Sequence, residues 1–161
     1  MVTFCVICMN IDRTEFQFVC HLKQEVGSDG AVVPFMPQHR YMNAKNLPLN
    51  KYGEGPFCKF RIPGNFNTSG VYALVVEDTI KYIGECTSLS SRYNSGYGNI
   101  SPRNCFKGGQ ETNCRLNVCI YVEVQCGRQV ELWFHSTREH KQLANRLLAA
   151  SNYEWNRGQY A

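Results

Sequence analysis

The chain has 161 residues, 43% hydrophobic and 12% aromatic, with a formal net charge of +4. That length supports one domain with a proper core. No apolar run approaches the roughly 20 residues that span a bilayer, and Met1-Val2-Thr3-Phe4-Cys5-Val6-Ile7-Cys8 lacks a basic leader and a small-residue cleavage site. Neither a membrane-spanning helix nor a signal peptide is expected, and the expected compartment is the cytoplasm.

The first two strands are expected over residues 3–9 and 16–22, parted by Asn10-Ile11-Asp12-Arg13. The nine cysteines are an odd number, unlike a secreted disulfide framework. Cys5 and Cys8 are spaced C-x-x-C, and Cys20-His21 would complete a zinc set. Zinc knuckles sit on glycine-containing turns, however, whereas Phe4 to Cys8 reads as a strand. Buried free thiols are the favoured reading, with a structural zinc as the alternative.

Gly27-Ser28-Asp29-Gly30 is a turn signal. Residues 34–50 hold three prolines without periodicity and read as a long loop with at most a short helix. Residues 38–61 carry five cations against one carboxylate, and residues 87–117 carry four against one. Arg40, Tyr41, Lys45, Lys51 and Tyr52 interleave cations with aromatics, a composition suited to phosphates and bases. This predicts a basic arm facing a polyanion; an ordinary ordered connector is the competing reading.

Gly70-Val71-Tyr72 and Lys81-Tyr82-Ile83-Gly84 flank two apolar, β-branched runs split by Glu77-Asp78-Thr79. They predict a β-hairpin closed by a type I-based loop, since the turn lacks Gly and Asn. Thr87 or Ser88 would cap a short helix ending at Gly96, with Leu89 and Tyr93 facing the core. Residues 100–115 are too polar for a strand and too rich in glycine for a long helix. Their Arg, Lys, Gln and Asn side chains are of the types that read base edges. Residues 116–125 read as a helix turn or coil entering a strand, and 130–135 as a further strand. A last helix over about 138–151 carries Leu143, Leu147 and Leu148 as its apolar stripe.

Gly70-Val71-Tyr72, Tyr82-Ile83-Gly84, Arg92 in the polar helix and the closing Trp155-Asn156 stand in an ordered set that resembles the GIY-YIG endonuclease superfamily, in particular its restriction-type members. The resemblance runs from Gly70 to Asn156, with Val replacing Ile in the first half of the signature. It implies an α/β (α+β) fold: a small, mainly antiparallel sheet flanked by helices, here preceded by an N-terminal β extension. The expected layout is an extension with a basic loop over residues 1–69 and a nuclease core over 70–161. A recognition insert falls at about 99–117, all within one compact domain.

The resemblance also assigns chemistry. Tyr72 would be the general base or orient the water, Tyr82 would assist it, and Arg92 would neutralise charge on the phosphate. Lys81 is a further candidate, provided a bulge turns it towards Tyr82's face. Gly70, Gly84 and Asn156 would support the site. Arg40, Lys45, Tyr97, Arg103, Asn104, Lys107, Gln110, Asn113 and Arg115 are the candidate nucleic-acid contacts. One Mg²⁺ or Mn²⁺ would stabilise the leaving oxygen, held by a glutamate twelve residues before the closing Asn. Counting back from Asn156 lands on Ala144, within Ala144-Asn145-Arg146-Leu147-Leu148. Glu139 and Glu131 lie out of register. The intact remainder of the motif favours a replaced glutamate over a natural loss.

The expectation is thus a Mg²⁺-dependent, sequence-specific endonuclease for double-stranded DNA, from a bacterium or phage, inactive in this copy. A homodimer on a palindromic site would cut both strands. The alternatives are a nicking, repair or homing nuclease of the same superfamily, or a DNA-binding protein that does not cleave.

Overall fold

The chain is α+β, and the computed structural model describes residues 5–156. In order the elements are β1 (Cys8–Ile11), β2 (Thr14–His21), β3 (Lys23–Gln24), β4 (Phe60–Arg61), β5 (Gly70–Val76) and β6 (Thr79–Cys86). There follow α1 (Leu89–Arg92), α2 (Glu111–Gln125), β7 (Glu131–Ser136) and α3 (His140–Ala150). Among the described residues, no helix is long and apolar enough to cross a membrane.

These elements fall into two interleaved compact units, residues 1–22, 66–89 and 129–161 in the first, and 23–65 and 90–128 in the second. The division does not follow the boundary expected at 69/70. The stretch expected as an N-terminal extension is split between the units, and the insert at 99–117 lies wholly in the second.

The first unit is built on a five-stranded antiparallel sheet of order β1-β2-β7-β5-β6. β5 is apolar at every position after Gly70, so it can be covered on both faces, and all seven of its residues are buried between two paired neighbours. β2 alternates instead, with Phe16 buried between exposed Glu15 and Gln17. Val71, Ala73 and Val75 of β5, with Ile83 and Trp133, pack in one cluster with Ala144 and Leu147 of α3. Arg146 fastens the same helix to the first hairpin, reaching the Asp12 carboxylate at 2.9 Å and the Thr14 hydroxyl at 2.7 Å.

Both hairpins close through two residues at positive φ, Asp12 (43°) and Arg13 (65°), then Glu77 (48°) and Asp78 (64°). This corrects the type I-based loop expected between β5 and β6. A two-residue turn of left-handed residues matches the right-handed strand twist, and here it forms without glycine. Of the strand expected at 3–9, residues 3 and 4 lie outside the described residues, and β1 starts only at Cys8.

The second unit has less regular structure. Lys23 pairs with Arg61 and Gln24 with Phe60 in the short β3–β4 ladder, and 3₁₀ turns occupy Pro37–Arg40 and Pro102–Cys105. Phe57, Ile100, Cys105, Phe106 and Cys114 form its buried cluster. α1 runs on into a π-helical turn at Tyr93–Tyr97 that ends at Gly98 rather than at Gly96. α2 corrects the expected strand. Leu116, Val118, Ile120, Val122 and Val124 alternate as a strand would, yet burial follows a helix, with Asn113, Asn117, Ile120 and Tyr121 inside and Val122 49% exposed. Packing decided against local preference.

Asparagine side chains hold the irregular segments. A carboxamide offers the same donor and acceptor pair as a peptide group, so it can stand in for a neighbouring strand. Asn117, fully buried, accepts from Cys58 N–H (2.9 Å) and donates to the Cys58 and Tyr97 carbonyls at 2.8 and 2.7 Å. Asn94 does the same for Ile62, at 2.7 and 3.0 Å. In the first unit, Asn156 pairs with both backbone groups of Ile83, at 3.0 and 2.8 Å.

Candidate functional site

In the β5–β6 register Tyr72 stands opposite Gly84 and Leu74 opposite Tyr82. Alternation puts these four residues on one face of the ribbon, with the two tyrosines as a diagonal pair. Their ring centroids lie 6.1 Å apart with planes inclined by 34°. A methyl group at Gly84 would fall on the Tyr72 ring and hydroxyl, so the glycine is the seat of that ring. Gly70 similarly lies beneath the Phe134 ring and against the His135 carbonyl. The room left by both glycines is filled from within the sheet, not held open for a phosphate. Tyr72 is 1% and Tyr82 8% exposed.

A register shift between Leu74 and Val75 leaves Lys81 as the extra residue of β6. The bulge that Lys81 required is therefore present. Its ammonium, however, sits 2.5 Å from the Glu154 carboxylate, and its carbonyl accepts from Trp155 N–H at 2.8 Å. Lys81 and Asn156 thus anchor residues 153–156 along β6, the strand that ends the sheet. An unpaired sheet edge invites other strands, and this strap occupies it.

Arg92 ends α1, half-buried, and belongs to the second unit, whereas the tyrosine pair belongs to the first. Of the other candidate contacts, Arg40, Lys45, Lys107 and Gln110 are exposed. Arg103 turns its guanidinium onto the Phe106 and Lys107 carbonyls at 3.4 and 3.2 Å. Asn104 accepts from the Gln110 N–H at 3.1 Å. Asn113 is buried and donates to the Gln110 side chain at 2.9 Å. Arg115 is 8% exposed; Tyr97 is 2% exposed and packs edge-on against Tyr93. Much of the expected base-reading insert is therefore folded into its own turn and helix, leaving Lys107 and Gln110 at its surface.

The expected metal does not fit the residues present. Ala144 is 4% exposed within the aliphatic cluster of Val71, Ala73 and Val75. β-strand alternation turns those three away from the face that carries Tyr72. Position 144 thus offers an apolar setting, whereas a hard cation needs oxygen ligands. The sequence also gave no sign of a contact between Glu85 of β6 and His140 of α3, residues 55 positions apart. Glu85 follows Gly84 and so points to the opposite face from the tyrosine pair. Among the described residues, no group of three or more His, Cys, Asp or Glu could hold a metal ion.

All nine cysteines are free thiols, with Cys58, Cys86, Cys105 and Cys114 buried and Cys5, Cys8 and Cys126 exposed. Burial pushes the Cys58 thiol up to about 12. Comparison with protein-family models, with curated proteins and with solved structures found no match.

Proposed function

We propose that the chain is a DNA-acting protein of GIY-YIG type that binds duplex DNA and, with alanine at position 144, cleaves it very slowly or not at all. One observation carries this reading: the two signature tyrosines form a close pair on one face of the hairpin, Tyr72 seated over the signature glycine Gly84. Tyr72 would orient the attacking water and Tyr82 would assist it. Without a metal ligand nothing would stabilise charge on the leaving oxygen, so the tyrosines alone would give little turnover. The basic blocks at 38–61 and 87–117 support the choice of a polyanion as partner.

The burial of Ala144 favours the reading in which alanine is the native residue of a binding protein over the reading in which a glutamate was replaced. For any copy that does cleave, a homodimer on a palindrome is the proposed assembly. The test is plasmid and short-duplex binding against salt concentration, followed by incubation with Mg²⁺. The expected result is affinity that falls steeply as salt rises, with little or no cutting. Absence of duplex binding at low salt overturns the reading. Robust Mg²⁺-dependent cutting, abolished by Tyr72→Phe, would overturn the binding-protein assignment while leaving the tyrosine roles standing.

A further inference from the structure

Two open concavities in the second unit, of about 440 and 560 Å³, share Lys59 and Asn99 in their walls. Lys23 and Arg61 line the first, and Arg40 lines the second. These cations are arranged in a way that calls for an anion. Lys23 and Arg61 are direct partners across the β3–β4 ladder, a like-charge pairing that destabilises a ladder when nothing neutralises it. Lys59 and Arg40 share the Phe35 ring, at 4.4 and 5.5 Å from its centroid, so the ring holds two further positive groups close together. Among the described residues none of the four cations is in a salt bridge. Glu25 is the one carboxylate in the walls.

A second observation points the same way. The side-chain N–H₂ of Gln24, in the wall of the first concavity, is buried and meets no hydrogen-bond acceptor. A buried donor left without a partner is costly, and a ligand that drew the Gln24 side chain out to the wall of the concavity would relieve that cost.

From these features we infer that Lys23, Arg61, Lys59 and Arg40 line a groove for one strand of nucleic acid, held by its phosphodiester backbone. Two cation groups in series, joined through Lys59, form the kind of positively charged groove that tracks a single-strand backbone. A lone phosphate would engage one group only. The assignment rests on the nucleic-acid reading above but uses different residues, so the two can fail separately.

The test is fluorescence anisotropy with a labelled single-stranded oligonucleotide of about a dozen nucleotides, using the full chain, its Lys59→Ala/Arg61→Ala variant and its Lys59→Arg/Arg61→Lys variant. The alanine pair should weaken binding about tenfold and lower the salt slope by about 1.4, the share of two phosphate contacts on a single strand. The charge-conserving pair should bind nearly as the unaltered chain does, which separates loss of charge from loss of fold. Equal affinity of the alanine pair and the unaltered chain overturns the assignment. So does displacement of the oligonucleotide by pyrophosphate at matched phosphate concentration, or a preference for the duplex of the same sequence. Loss of duplex binding in the unaltered chain would instead count against the function proposed above.

Discussion

Ala144 separates what a motif register implies from what packing permits. The register places a metal-binding glutamate there, on the premise that alanine and glutamate differ little within a helix. The position lies instead in an aliphatic cluster, so the side chain must suit a core. Ala144→Glu should therefore lower stability by at least about 3 kcal/mol, because it overfills the site and buries a carboxylate without a partner. Burial would raise the folded-state pKa of that glutamate, so its charged form is the costly one. The loss should be smaller at pH 4, where only the overfilling remains, and full at pH 8, read from urea midpoints at the two values. If the variant is as stable as the parent and gains Mg²⁺-dependent cleavage, the side chain reaches a metal and the packing argument fails.

At the scale of elements, the edge strand β6 and the strap beyond α3 form one device. Asn156 supplies both hydrogen bonds that a neighbouring strand would give to Ile83. Asn156→Ala should cost about 1–3 kcal/mol, the range for stranding buried backbone groups, and should speed amide exchange at Ile83. Unchanged exchange there would mean that the strap does not cover the edge. The Glu77-Asp78 turn offers the opposite experiment. Both residues are held at positive φ, where Asn and Gly are favoured. Glu77→Asn combined with Asp78→Gly should thus raise stability by about 0.5–1 kcal/mol. A lower melting temperature would show that the acidic side chains contribute something the backbone does not reveal.

For the whole molecule, the buried cysteines tie stability to pH. Cys58 has no exposed surface, and burial raises its pKa to about 12 from the ordinary thiol value of 9. The raised value means that the folded chain keeps the proton after the unfolded chain has lost it. The associated stability is complete below about pH 9 and is lost as pH rises towards 12, the window between those two values. Cys58→Ala should therefore flatten the fall in urea midpoint between pH 8 and pH 10.5. Parallel curves for the two proteins would remove Cys58 as a contributor. Under native conditions a thiol reagent should modify Cys5, Cys8 and Cys126 first, and Cys58 only on unfolding.

What depends on neighbours along the chain can be read from the order of residues alone. Alternating or wholly apolar runs around short polar turns announced the β2 and β5–β6 strands, because hairpin pairing is local. Leu143, Leu147 and Leu148 announced α3 by their spacing. The tyrosine pair followed from the same local pairing of β5 with β6. Contacts between distant parts of the chain were decided only by the tertiary structure. The asparagine clamps join residues 32, 59 and 73 positions apart, and no window of sequence contains both partners. α2 escaped for a related reason: its alternating β-branched residues argue for a strand until Asn117 and Ile120 are seen to be buried on one helical face. Which face of the sheet α3 covers was equally hidden. That choice puts Ala144 in the core, because a helix's apolar stripe says what it must bury but not against which side of a sheet.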